Sequence, residues 1–165
     1  MQLDAGNTDQ ALLFTEAVAG GKMRLRIKHE DLKHIADTAG IRVGDETLHV
    51  ISEYPLRAPV LLYLTKTAQN KSKAEKERKA TFPADAYSHI MWSFLLTKEF
   101  GPAFAQRITD SHEILDGNIE DGRAIDIHNN AVARALAQQG VKESELLQMV
   151  LTNSQIIRFP SEVGS

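Results

Sequence analysis

The sequence contains only one tryptophan and no cysteine, and the absence of cysteine excludes several classes of chemistry. Without cysteine there can be no disulfide, no thiolate nucleophile and no cysteine-ligated zinc or iron–sulfur site. The net charge is only −3, so the chain has no general attraction for nucleic acid or for an anionic membrane surface. We therefore expect no nucleic-acid partner.

Long apolar segments are also missing. The most apolar run, Pro59–Leu64, is far shorter than the ~20 residues that a membrane-spanning helix needs. The N-terminal residues Met1–Asn7 lack both the basic and the apolar region of a signal peptide. These features predict no stable membrane insertion and synthesis in the cytoplasm without a signal peptide. Export would then use another route, such as a specialised secretion system, or would occur as part of a longer chain.

What remains is the composition of an ordinary globular protein, with 42% hydrophobic and 25% charged residues among 165. The patterning predicts a mainly α protein, a compact helical bundle that leaves room for a small β-hairpin in the N-terminal third. We expect one domain over residues 1–165. Within it we distinguish an N-terminal helical part with the hairpin option (1–80), a helical core carrying the site (82–152) and an irregular, partly mobile tail (153–165).

The N-terminal part gives mixed signals. A helix is expected over Gln10–Ala19, because two glycines follow it. Met23–Ile27 alternates apolar and basic residues, which fits either a short strand or the lead into a helix over His29–Ala39. The stretch Leu48–Ile51 is weakly strand-like. Val60–Thr67 is apolar and is expected to begin a helix. The charged run Lys71–Lys79 is expected to be either a solvated helix end or an exposed linker.

The C-terminal half is clearer. Residues Ala84–Phe100 are apolar on nearly all sides, which is typical of a buried helix, and we expect Trp92 to be buried within it. Gly101-Pro102 ends this helix and begins the next, because glycine suits a helix end and proline a first turn. The spacing then predicts helices over Pro102–Leu115, Asn118–Gln139 and Glu143–Thr152.

Polar residues recur in three successive helices of this half. The first helix carries Asp85 and His89 at i, i+4 spacing, where a carboxylate can orient an imidazole. An unpaired buried polar group costs roughly 1–3 kcal/mol, so such groups must meet one another, water or a ligand. The helix lengths predict that His89, His112, Asp126 and either His128 or Asn129 converge within ~5–8 Å around a cleft.

The same segment resembles an uncharacterised bacterial and phage domain family. The family pattern is approximately D-A-x-R-H-x-x-W, then A-H-E, then M-D-x-H-N-N-x-x-G-R, and the match covers about residues 84–134. This sequence has Ser88, Ile125 and Ala133 where the pattern has arginine, methionine and glycine. The resemblance implies a module of secreted or polymorphic-toxin-type proteins.

Two kinds of function are compatible with these residues. The first is a hydrolase that acts on a bacterial envelope component as an antibacterial effector, with a cognate immunity or secretion-system protein as partner. The second is a non-enzymatic helical binding module, immunity-like or part of a secretion or phage assembly, with a buried structural polar network. For the enzyme, the expected catalytic residues are His112, Glu113, Asp126 and His128. The expected substrate-binding residues are Asp85, His89, Asn129, Asn130 and Arg134. A divalent metal such as zinc would be bound by His89, His112 and Asp126.

Overall fold

The computed structural model of the chain describes residues 14–19, 22–113 and 120–163 and is mainly α-helical. A β-hairpin precedes the helices, in which β1 pairs antiparallel with β2. Short 3₁₀ turns occupy Glu143–Glu145 and Pro160–Glu162. The elements in order are β1 Phe14–Ala19, β2 Lys22–Ile27, α1 His29–Thr38, α2 Asp45–Ser52, α3 Ala58–Arg78, α4 Ala84–Phe100, α5 Pro102–Glu113, α6 Glu120–Gln138 and α7 Leu146–Thr152.

Helix α4 lies at the centre of the bundle and packs against α3, α5, α6 and α7. Its side chains are buried in several directions, as expected for a helix that is apolar all round. Trp92 is 6% exposed and donates its indole N–H to the hydroxyl of Thr65 on α3, 3.0 Å away. The burial expected for Trp92 is thus confirmed, and α4 forms both the core of the bundle and one wall of the site described below.

Two glycines permit the sharp connections of this half. Gly101, between α4 and α5, has φ of +86°, and Gly140, after α6, has φ of +82°. Residues with a Cβ rarely adopt this left-handed region, so glycine is the natural residue at both helix ends. The helix bounds expected from the sequence for α4 are confirmed, and those for α5 and α6 agree where the described residues allow the comparison.

Two expectations for the N-terminal part are wrong. Phe14–Ala19 is a strand and not the end of a helix, while residues 10–13 lie outside the described part of the chain. Two glycines between alternating segments favour a hairpin over a helix stop. Leu48–Ile51 is helical within α2, where Leu48, Ile51 and Ser52 are buried at helical spacing. The apolar stripe thus has a period near 3.6 and not near 2.

The tail is better packed than expected. Ile156 is 1% exposed and belongs to the hydrophobic core. Residues 153–163 contain no helix beyond one 3₁₀ turn, which fits the irregular structure expected. None of the described helices combines the length and the apolar character needed to cross a membrane.

Candidate functional site

An imidazole surrounded by carboxylates lies where α4, α5 and α6 meet. His89 of α4 has its Nε2 3.8 Å from a carboxylate oxygen of Asp85, one turn earlier on the same helix. The same nitrogen is 3.7 Å from Asp126 of α6. On the other side of the ring, Nδ1 lies 3.4 Å from Glu113 of α5. Three helices therefore contribute to one cluster, which is defined by Asp85, His89, Glu113 and Asp126 and is called the His89 cluster below.

The inner half of the His89 cluster is held by hydrogen bonds. Asn130 of α6 donates its side-chain amide to Oε1 of Glu113, at 3.2 Å. Ser93 of α4 donates its hydroxyl to the backbone carbonyl of Asn130, at 3.0 Å. Both Glu113 and Asn130 are buried. This chain of contacts holds the carboxylate of Glu113, which lies 3.4 Å from Nδ1 of His89.

The outer half of the cluster is open. Asp85 has a side chain that is 86% exposed, and the side chain of His89 is 11% exposed. Asp85, His89, His112 and Asp126 line a pocket of about 630 Å³. Its opposite wall comes from the α1–α2 connection and from α3, including Arg42, Val43 and Gln69. A ligand can therefore reach Nε2 of His89 from solvent.

His112 lies beside the cluster. Its ring centroid is 5.9 Å from that of His89 and 5.2 Å from that of Trp92, against which it packs edge-on. The convergence expected for His89, His112 and Asp126 is confirmed, because all three line one pocket. Among the described residues, however, His112 does not belong to the group whose atoms lie close enough to share one ion. One ligand atom each from Asp85, His89 and Asp126 lies within 4.8 Å of the others, so Asp85 takes the place expected for His112.

Three of the expected site residues make hydrogen bonds away from the His89 cluster. The exposed His128 contacts the carbonyl of Gln155 through Nε2, at 2.7 Å. Asn129 is buried and makes two hydrogen bonds to the backbone of Ile157, at 2.8 and 3.1 Å. Arg134 donates to the hydroxyl of Thr109, at 3.2 Å. One turn of α6 thus directs Asp126 and Asn130 towards the site, whereas His128 and Asn129 hold the tail.

Arg42, Gln69 and Ser88 also line the pocket, and none of them was expected from the sequence. The side-chain amide of Gln69 accepts from the backbone N–H of Arg42 at 3.2 Å and donates to its carbonyl at 2.6 Å. Arg42 is exposed, and its guanidinium makes no ion pair with any residue in the described ranges. Gln69 and Arg42 are far apart in sequence, so no local pattern could have linked them.

The electrostatics of the cluster reflect its burial. Burial raises the pKa of Asp126 to about 6, and the charges of Asp85 and Glu113 add to that shift, while His89 opposes it. Burial lowers the pKa of His89, but the contact with Glu113 and the charges of Asp126 and Asp85 outweigh burial and raise the pKa overall. A carboxyl that titrates near neutrality in an open pocket is typical of functional sites.

This raised pKa predicts a pH-dependent stability for the metal-free protein. The carboxyl of Asp126 titrates at 3.8 in an unfolded chain and at about 6 when folded, so the folded state binds the extra proton between these values. Stability must therefore fall as the pH rises through that window, by ~1–2 kcal/mol given the partial solvent access. His89, with a raised pKa, adds a loss in the same direction above pH 6.5. Urea unfolding from pH 4 to 7 should show the fall for the native chain.

The substitution Asp126→Asn serves as the control, because it removes the titrating group and changes the side-chain volume little. Between pH 4 and pH 6, the free energy of unfolding of the variant should change less than that of the native chain. At pH 7 the variant should be the more stable of the two proteins. Equal slopes for both proteins would contradict the assignment of this carboxyl as the source.

Comparison with known families covers most of the chain. A family model described as a domain of unknown function, DUF6973, matches residues 48–157. The chain belongs to the DUF6973 family. The DUF6973 segment begins within α2 and ends in the tail, so it includes every member of the His89 cluster. No curated protein and no solved structure matches the chain.

Proposed function

We propose that this DUF6973 protein is a hydrolase that acts on a component of the bacterial envelope and is delivered as an antibacterial effector. One observation carries the enzymatic part, namely that the largely buried His89 and Asp126 line one pocket together with Asp85, whose side chain is exposed. A purely structural polar network would gain nothing from access to solvent. The envelope target and the effector role rest on the resemblance to modules of secreted, toxin-type proteins.

The residues of the pocket divide into groups with different tasks. Asp85, His89 and Asp126 surround the place where an attacking water would be activated. Glu113 positions His89, and Asn130 positions Glu113. Arg42, on the opposite wall, would bind an anionic group of the substrate, since its guanidinium makes no ion pair within the described part of the chain and keeps its donors for a ligand. This arrangement suits hydrolysis, in which water is the nucleophile and protons must be taken up and returned.

The proposal can be tested with purified envelope fractions. The protein is incubated with peptidoglycan sacculi and, separately, with phospholipid vesicles, and the soluble products are identified by mass spectrometry. We expect product from one fraction, and at least a 100-fold slower release by Asp126→Asn. Asp45→Asn is the matched control, because Asp45 pairs with Lys33 on the surface and does not line the pocket. No product from either fraction, or equal release by Asp126→Asn, would contradict the proposed hydrolase.

The effector role has its own test. Expression directed to the periplasm of a bacterial host should inhibit growth, whereas the same protein carrying Asp126→Asn should not. An effector of this kind needs a cognate immunity or secretion-system protein. Co-expression of a cognate immunity protein should restore growth without changing the amount of the DUF6973 protein. Equal growth inhibition by both proteins would contradict the link between toxicity and hydrolysis.

One observation favours the non-enzymatic alternative for part of the network. Glu113, Asn130 and Ser93 are all buried and make their hydrogen bonds to one another across three helices. These residues would hold the bundle together whether or not the pocket is catalytic. If substitution of these residues lowered the stability of the fold and the native chain showed no hydrolase activity, holding the bundle together would be the function of the network.

A further inference from the structure

The spacing around Nε2 of His89 is unusual for a hydrogen-bonded ion pair. Two carboxylate oxygens, from Asp85 and Asp126, lie 3.8 and 3.7 Å from this one nitrogen. These separations are too long for hydrogen bonds, which are rarely longer than about 3.2 Å. All three ligand atoms nevertheless lie within 4.8 Å of one another. Ligands that each bind one ion at ~2.0–2.2 Å lie a few ångströms apart, so the arrangement leaves room for a cation at its centre.

The second nitrogen of His89 supports the same conclusion independently. Nδ1 lies 3.4 Å from Glu113, whose side chain is only 2% exposed. Among the described residues, neither Nδ1 of His89 nor Oε2 of Glu113 has a hydrogen-bond partner. A histidine that binds a metal usually directs its other ring nitrogen at a carboxylate, which fixes the ring and increases its basicity. Glu113 occupies that position here, and it leaves Nε2 to face Asp85 and Asp126.

The charge of the cluster favours a cation as well. Three carboxylates, from Asp85, Glu113 and Asp126, surround one imidazole, and two of the three are buried. Even a fully protonated His89 cannot balance three negative charges. Uncompensated buried charge costs several kcal/mol unless a proton or a cation neutralises it. A divalent ion would offset two of the three negative charges without requiring those carboxyl groups to be protonated.

We propose that Asp85, Nε2 of His89 and Asp126 bind one divalent transition-metal cation, with Glu113 as the residue that positions His89. One imidazole and two carboxylates suit Zn²⁺ or Mn²⁺ better than Mg²⁺ or Ca²⁺, which prefer oxygen ligands alone. The open side of the pocket leaves the remaining coordination positions to water and substrate. The role of this ion, activation of the attacking water, rests on the proposed hydrolase, whereas its binding does not.

Binding can be measured without any substrate. The full chain is stripped with a chelator and titrated with Mn²⁺ or Zn²⁺ alone in a calorimeter, and bound Mn²⁺ is counted by electron paramagnetic resonance. We expect one ion per chain. His89→Gln and Asp126→Asn should weaken binding at least ~100-fold, and Glu113→Gln about 10- to 100-fold, the usual effect of removing a partner of a metal ligand. The matched controls His34→Gln and Asp45→Asn, both outside the pocket, should bind as tightly as the native chain.

A second measurement does not depend on how the variants fold. In the native chain, ¹⁵N spectra should show the Nε2 signal of His89 shifting on addition of Zn²⁺ as expected for a coordinated nitrogen. Absence of that shift, or equally tight binding by the native chain and Asp126→Asn, would overturn the metal site. Ion binding without envelope hydrolysis would sustain the metal site and contradict the hydrolase. Hydrolysis that persists in the presence of chelator would support the hydrolase and contradict the metal site.

Discussion

Replacement of His89 by glutamine is expected to slow the proposed envelope hydrolysis by roughly 100- to 10,000-fold, the range for loss of a group that activates the nucleophile. Glutamine preserves most of the side-chain length but supplies no imidazole nitrogen at the position of Nε2. Without that nitrogen, the carboxylates of Asp85 and Asp126 lose the imidazole atom that lies 3.8 and 3.7 Å from them. Product release from the responsive envelope fraction, measured against enzyme concentration, gives the rate ratio.

Two other histidines serve as comparisons for this variant. His34 is exposed on α1, so His34→Gln should retain the native rate. His128→Gln separates the sequence hypothesis from the geometry, because the sequence alone places His128 in the catalytic group. The structure places it against Gln155 of the tail, so we expect a rate near native. A large loss for His128→Gln together with a small one for His89→Gln would contradict the site described above.

Truncation of Trp92 to alanine should lower the free energy of unfolding by ~3–5 kcal/mol, as for other large aromatic residues in cores. The indole of Trp92 contacts α3 through Thr65, and its edge contact with His112 would also be lost. Trp92 is the sole tryptophan, so unfolding of the variant must be followed by helical circular dichroism and not by fluorescence.

Trp92→Phe is the informative companion substitution. It retains an aromatic ring and removes the N–H that Thr65 accepts. The hydroxyl of Thr65 still donates to the carbonyl of Leu61, at 2.8 Å, so it is not left without a partner. We therefore expect a loss of only ~1–2 kcal/mol. Losses of similar size for alanine and phenylalanine would mean that the hydrogen bond, and not the packing, carries the contribution of Trp92.

The helices of the C-terminal half were predictable because their signals are local. Gly101-Pro102 marks a helix boundary within two residues, and the apolar pattern of α4 needs no knowledge of its neighbours. The hairpin was less predictable, since Phe14–Ala19 is compatible with either a helix or a strand until its partner is known. The strand expected at Leu48–Ile51 was wrong, because four residues are too few to distinguish the alternation of a strand from the start of an amphipathic helix.

The site was predictable only as far as helix geometry reaches. The distances along α4 and α5 place His89 and His112 at one level, and the structure confirms this. They do not determine which side of α6 faces α4, so His128 and Asp126 could not be separated from the sequence. Arg42 could not be found at all, because its place in the pocket depends on contacts between the α1–α2 connection and Gln69 of α3, 27 residues further along the chain.

The origin of the His89 cluster in three helices has a consequence for the order in which the fold assembles. Helices α4 and α5 are neighbours in sequence, so their contacts close a short loop and can form early. The pair of His89 and Glu113 belongs to that hairpin. Asp126 arrives only when α6 docks, and α6 is in turn held by the tail through Asn129. A partly folded chain, or one in which α6 opens transiently, would thus contain an oriented imidazole but an incomplete pocket. Hydrogen exchange of the α6 amides would then report on the same opening that removes Asp126 from the pocket.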